Sequence, residues 1–158
     1  LNFINQHPAD YYIHCGDIYM PYSPLEIDNF YNVRGNNDFA DIPKDLTLTI
    51  DGLNFFICHG HLFHIDESMY DLEQYALNHK IDVVCFGHSH NPTCYKKENT
   101  LFINPGSVTF PRGNYPHPTY CIFDTENHEV QFYDLKENQP CNPFEVKKKE
   151  SFFKRFFK

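Results

Sequence analysis

Asp82-Val83-Val84-Cys85-Phe86-Gly87-His88-Ser89-His90 is the stretch on which the fold turns. Four consecutive apolar residues, two of them β-branched, read as a strand buried on both faces. A glycine then ends the strand, and two histidines two positions apart follow at once. A buried strand that delivers imidazoles at its carboxyl end is the arrangement of an open α/β sheet, where ligand sites gather at strand ends.

The same event recurs on the N-terminal side. Leu53-Asn54-Phe55-Phe56-Ile57-Cys58 runs into His59-Gly60-His61, and Tyr11-Tyr12-Ile13-His14 runs into Cys15-Gly16-Asp17. Asn32-Val33-Arg34, a third short strand expectation, runs into Gly35-Asn36-Asn37-Asp38. The period-two alternation of Leu46-Thr47-Leu48-Thr49-Ile50 meets the next strand across Asp51-Gly52, a type I′ hairpin signal. Between the last two histidine loops, Met69, Leu72, Ala76 and Leu77 predict a helix over 69–78, with acids early and His79-Lys80 at its end. Downstream, strands are expected over 93–96, 100–103, 119–124 and 130–134.

The 158 residues are enough for one domain with a sizeable core. Residues 1–144 hold 7 Lys+Arg against 19 Asp+Glu. An acidic body is a poor footprint for duplex nucleic acid, which rewards clustered cations, and it suits a collector of divalent cations. The six cysteines form no C-x-x-C pair, and Cys85 sits inside an apolar run, so buried free thiols in a reducing, cytoplasmic setting are expected. The chain opens at Leu1, and Leu1-Asn2-Phe3-Ile4-Asn5 reads as the end of a helix, so the expectation is a fragment lacking its N-terminal edge.

Taken singly, each loop is weak. A lone loop histidine is more often solvated than ligating, and a lone Asn more often caps a turn. The ordered set Gly16-Asp17, Gly35-Asn36-Asn37-Asp38, His59-Gly60-His61 and Gly87-His88-Ser89-His90 resembles the calcineurin-like metallophosphoesterase superfamily, nearest its small bacterial and archaeal phosphodiesterases. The resemblance runs from about residue 11 to 134, and Asn104-Pro105-Gly106-Ser107 adds a local match to that subgroup.

The resemblance implies a four-layer α/β/β/α sandwich, two mixed β-sheets flanked by helices, here expected to lack its first central strand. It implies a domain over 1–137 and a separate tail over 138–158. It further implies hydrolysis of a phosphate ester, more often a diester, by a hydroxide bridging two divalent metal ions, manganese first, with iron, zinc or nickel as alternatives. A catalytically weak scaffold on the same fold is the competing reading. By position, Asp17 bridges the ions, and Asn36, His59 and His88 complete one set. His90 belongs to the other, whose Asp-x-His motif is absent before Asp17. Asn37 stands where many members carry a catalytic His, although the small subgroup commonly lacks it. His61, two residues from a ligand, is a candidate proton donor to the leaving group, against the alternative that it only orients a loop. Asp38 is expected to hold its loop through backbone hydrogen bonds, and Asn104 and Ser107 to build a turn. Arg112 is a candidate phosphate contact, against the commoner case of a solvated loop arginine.

The substrate expected is a small, nucleotide-like phosphoester. In the tail, residues 147–158 place Phe152, Phe153, Phe156 and Phe157 on one face if helical, with Lys154, Arg155 and Lys158 largely elsewhere. Such a segment suits an anionic membrane surface; the alternative is a frayed terminus docking on the body or on a second copy of the chain.

Overall fold

The computed structural model describes residues 7–19, 27–39 and 41–145. Leu1-Asn2-Phe3-Ile4-Asn5 and the basic Phe-rich segment 147–158 lie outside the described residues.

A five-stranded mixed sheet organises the fold. It contains β3 (Asp45–Ile50), β4 (Leu53–Cys58), β5 (Val83–Cys85), β6 (Thr93–Lys97) and β7 (Thr100–Asn104), in the spatial order β3-β4-β5-β7-β6. The central strands β4, β5 and β7 are parallel, while β3 and β6 are antiparallel edges. Asp51 and Gly52 both take positive φ, 50° and 80°, and Ile50 pairs with Leu53, giving the two-residue turn expected between β3 and β4.

Both faces of this sheet are covered, which explains the unbroken apolar runs of β4 and β5. Phe56, Cys58, Val84, Phe86 and Phe102 face helix α1 (Tyr70–Asn78) and pack with its fully buried Leu72 and Ala76. Phe55, Ile57, Val83, Cys85 and Ile103 face the other way, against Ile13, Val33, Cys121, Phe123 and Val130. Apart from Val33, which directly follows β2, those partners come from two small sheets: a parallel pair, β1 (Tyr12–His14) with β2 (Phe30–Asn32), and an antiparallel set β10-β9-β8. In that set β8 is Thr119–Phe123, β9 is Val130–Asp134 and β10 is Gln139–Cys141.

The architecture is the α/β sandwich expected, with two refinements. The second sheet layer is split in two rather than forming one mixed sheet, and α1 is the single α-helix among the described residues, which supply three of the four layers. Strand β2 sits two residues earlier than 32–34, because Gly16 at φ 91° turns the partner chain away and Val33 keeps only a bond to the His14 carbonyl. Strand β10 lies beyond residue 137, so the described fold continues past the expected start of the tail. Its Pro140 donates no ladder bond, which suits an edge strand and masks it in the sequence.

All six cysteines are free. Burial pushes the Cys85 thiol up to about 12 and raises that of Cys58 further, so both are held as neutral thiols. Among the described residues no helix is long and apolar enough to cross a membrane.

Candidate metal centre

Four strand ends bring the four loops to one side of the molecule, around an open cleft. Its lining includes Asp17, His59, His88 and His90. Close packing of backbone makes this possible. A Cβ on Gly16 would lie 2.8 Å from the Gly35 nitrogen and 2.8 Å from His59 Nδ1; one on Gly35 would lie 2.0 Å from Asp17 Oδ1. Both positions therefore require glycine. Asp17, His88 and His90 adopt φ of 58°, 63° and 58°, a conformation that non-glycine residues rarely take. Tyr19, at φ 55°, adds a fourth such residue to the same cleft.

Hydrogen bonding fixes which atom each side chain presents. His59, 2 % exposed, places Nδ1 2.6 Å from the Cys15 carbonyl. A carbonyl can only accept, so Nδ1 carries the proton and Nε2 carries the lone pair. His88 places Nε2 2.6 Å from the Asp66 carboxylate, so in the neutral ring Nδ1 is the acceptor. Asn36 Oδ1 lies 3.1 Å from His59 Nε2 and 3.1 Å from His88 Nδ1, and Asp17 Oδ2 lies 3.4 Å from His59 Nε2. Either orientation of the Asn36 amide leaves two imidazole lone pairs converging on one point.

These separations are a test of metal fit. Ligand bonds of about 2.0–2.2 Å imply donor–donor edges of roughly 3.0–3.5 Å in an octahedral or tetrahedral shell. The edges from Asn36 to His59 and to His88 and from Asp17 to His59 fall within that range. Among the described residues no three His, Cys, Asp or Glu side chains are arranged to hold an ion by themselves; the Asn36 oxygen is what links His88 to the rest of the cluster. His90 is not in direct contact with that cluster. It lines the same cleft, with Nδ1 donating to the Phe110 carbonyl at 2.8 Å and Nε2 left as acceptor.

Electrostatics agree with a cation site. Burial tends to raise the Asp17 carboxyl, but bonds from the Asn37 backbone (2.9 Å) and side-chain amide (2.7 Å), with His59 and His88 nearby, hold it below the usual range. Burial lowers His59 below an ordinary histidine, so its ring is neutral at pH 7 and available to ligate.

The other expected residues fall as follows. Asn37 clamps the Asp17 carboxylate. Asp38 accepts from the backbone nitrogens of Asp17 (2.7 Å) and Gly35 (2.8 Å), the loop-holding role expected of it. Asn104, fully buried, donates to the Gly87 carbonyl at 2.8 Å and accepts from Gly106, and Ser107 Oγ accepts from Thr109 and Phe110. Both therefore build the turn. His61 lies beside His59 and His88, with ring centroids 5.2 and 6.1 Å away. Its Nδ1 is buried without a partner among the described residues, and burial lowers its pKa, first by desolvation and then through His59 and His88. The Arg112 backbone bonds to His90, while its side chain is not part of the cleft lining. Asp66 was not legible in the sequence. It stands in a polar loop with no local signal, and only the tertiary fold brings it to His88.

Comparison with known proteins places these residues in context. A family profile described as the calcineurin-like phosphoesterase superfamily domain matches residues 1–128. The probable metallophosphoesterase YsnB of Bacillus subtilis is 35% identical over 134 residues, 83% of this chain and 79% of that protein. Phosphodiesterase MJ0936 of Methanocaldococcus jannaschii is 30% identical over 151 residues, 83% and 86% of the two chains. A crystal structure of a conserved Streptococcus pneumoniae TIGR4 protein, described as a predicted phosphoesterase, superposes with a TM-score of 0.78 at 28% identity, covering 89% of this chain and 83% of that one.

Proposed function

This chain belongs to the calcineurin-like phosphoesterase superfamily, and on that premise we propose that it is a metal-dependent phosphodiesterase acting on a small phosphoester at the Asp17–His59–His88 cleft. The observation that carries the proposal is the convergence of the Asn36 oxygen and the His59 and His88 lone pairs, next to the Asp17 carboxylate. With both rings neutral and the Asn36 oxygen facing them, three acceptors meet without a donor between them, a repulsion that a divalent cation would remove. Mixed oxygen and imidazole donors suit manganese, iron or zinc over calcium.

When bound, divalent cations supply Lewis acidity toward the phosphoryl oxygens and lower the pKa of water. The protein does the positioning. The Asn37 amide orients the Asp17 carboxylate, the Cys15 carbonyl and the Asp66 carboxylate fix the tautomers of His59 and His88, and the Phe110 carbonyl fixes His90. The surrounding contacts hold Asp17, His88 and His90 at positive φ. His61, with its pKa lowered by burial and by His59 and His88, is mostly unprotonated at neutral pH, which counts against the proton-donor role.

The competing reading is a catalytically weak scaffold on the same fold. One assay separates the two. Manganese-dependent hydrolysis of bis(p-nitrophenyl) phosphate by the full chain, lost in Asp17→Asn, supports the enzyme; no turnover with manganese, iron, zinc or nickel supports the scaffold.

A further inference from the structure

The cleft has a polar half, described above, and an aromatic half that binding a phosphate does not require. Tyr19 and Phe110 line it and are 59% and 57% exposed, although burying a large ring is favourable by a few kcal/mol. The two rings meet nearly edge to face, 6.5 Å apart at 73°. Val108, 44% exposed, completes the apolar wall.

Phe110 is also tied to the metal-ligand side. Its ring lies nearly parallel to the His90 imidazole, at 17° and 6.5 Å, and its carbonyl accepts from His90 Nδ1 at 2.8 Å. Its own N–H is held by Ser107 Oγ at 2.9 Å, and the following loop returns through the Arg112 nitrogen to the His90 carbonyl at 3.0 Å. The exposed ring is thus presented from a loop bonded on both sides, at a fixed distance from a candidate ligand.

We propose that Tyr19, Val108 and Phe110 form a subsite for a planar ring carried by the ester's organic part, which makes the substrate class a nucleoside phosphate ester. This rests on the phosphoesterase reading and deepens it. The occupant follows from three observations. The subsite shares a cleft with the phosphate-directed residues, so the group it holds is attached to the phosphate. Its walls are rings with exposed π faces and edges, which match a base better than an aliphatic alcohol. Among the described residues the cleft lining carries no Lys or Arg, so charge there does not recruit the organic part.

The test compares adenosine 5′-monophosphate with ribose 5-phosphate, which present the same phosphate and differ in the base. Binding to the manganese-loaded full chain is read by calorimetry, together with inhibition of diester turnover. The nucleotide is expected to bind about tenfold more tightly, the equivalent of about 1.4 kcal/mol and within the range of one base–aromatic stack. Tyr19→Ala is expected to erase that preference without changing ribose 5-phosphate affinity, and Tyr19→Trp to keep it. Equal affinity of the two ligands for the wild-type chain overturns the subsite and leaves the phosphoesterase reading standing. Failure of both ligands to bind, together with no diester turnover, overturns both readings.

Discussion

At the residue scale, the carboxylate of Asp66 is the contact that local sequence gives no reason to expect. A ligating histidine almost always donates its other ring N–H to a fixed acceptor, and outer carboxylates that do this are worth about 10–100-fold in metal affinity. Asp66 is 64% exposed in its side chain, so the contact with His88 contributes orientation rather than stability. Asp66→Asn is accordingly expected to weaken manganese binding at least tenfold in a titration followed by electron paramagnetic resonance, with little change in melting temperature. Unchanged affinity would mean that His88 is oriented by its strained backbone alone.

Within single elements, the strand ends explain themselves by local chemistry, and so does the end of β9. The buried Asp134 accepts from Tyr115 Oη (3.0 Å), His117 Nδ1 (2.8 Å) and the backbone nitrogens of Lys136 (2.9 Å) and Glu137 (3.1 Å). Burial would raise its carboxyl, but these bonds outweigh it and hold the group below the usual carboxylate range. A carboxyl depressed on folding adds stability that is complete above its unfolded pKa near 3.9 and is lost as pH falls through the folded value. Asp134→Ala is therefore expected to lose roughly 1–3 kcal/mol at pH 7 by urea denaturation. The gap to wild type should narrow at pH 3 and below. A gap that stays constant with pH would assign the loss to packing.

Across the whole molecule, the site is assembled from four loops on two sheet layers, so a cation bound there links the layers. Ligands that bind only the folded chain stabilise it by about 2.7 kcal/mol at a hundredfold excess over Kd. For a domain of this size that is roughly 5–10 °C in melting temperature. Manganese should raise the melting temperature of the wild-type chain by several degrees, chelation should reverse it, and Asp17→Asn should abolish the response. A shift that persists in Asp17→Asn would place the stabilising ion elsewhere.

Sequence by itself determined the rhythm of strands ending in polar loops, the Asp51-Gly52 hairpin and helix α1, and it singled out Asp17, Asn36, His59 and His88 as candidate ligands. Each is a local signal: apolar runs, helical spacing, or polar residues at a strand's end. Strand β2 was misplaced because its register depends on where Gly16 turns the neighbouring chain, and β10 went unseen because an edge strand needs few apolar residues. Asp66 and the exposed rings of Tyr19 and Phe110 needed the tertiary structure. Their meaning lies in what stands across the cleft, and distances between residues far apart in sequence are set by how the sheet layers pack.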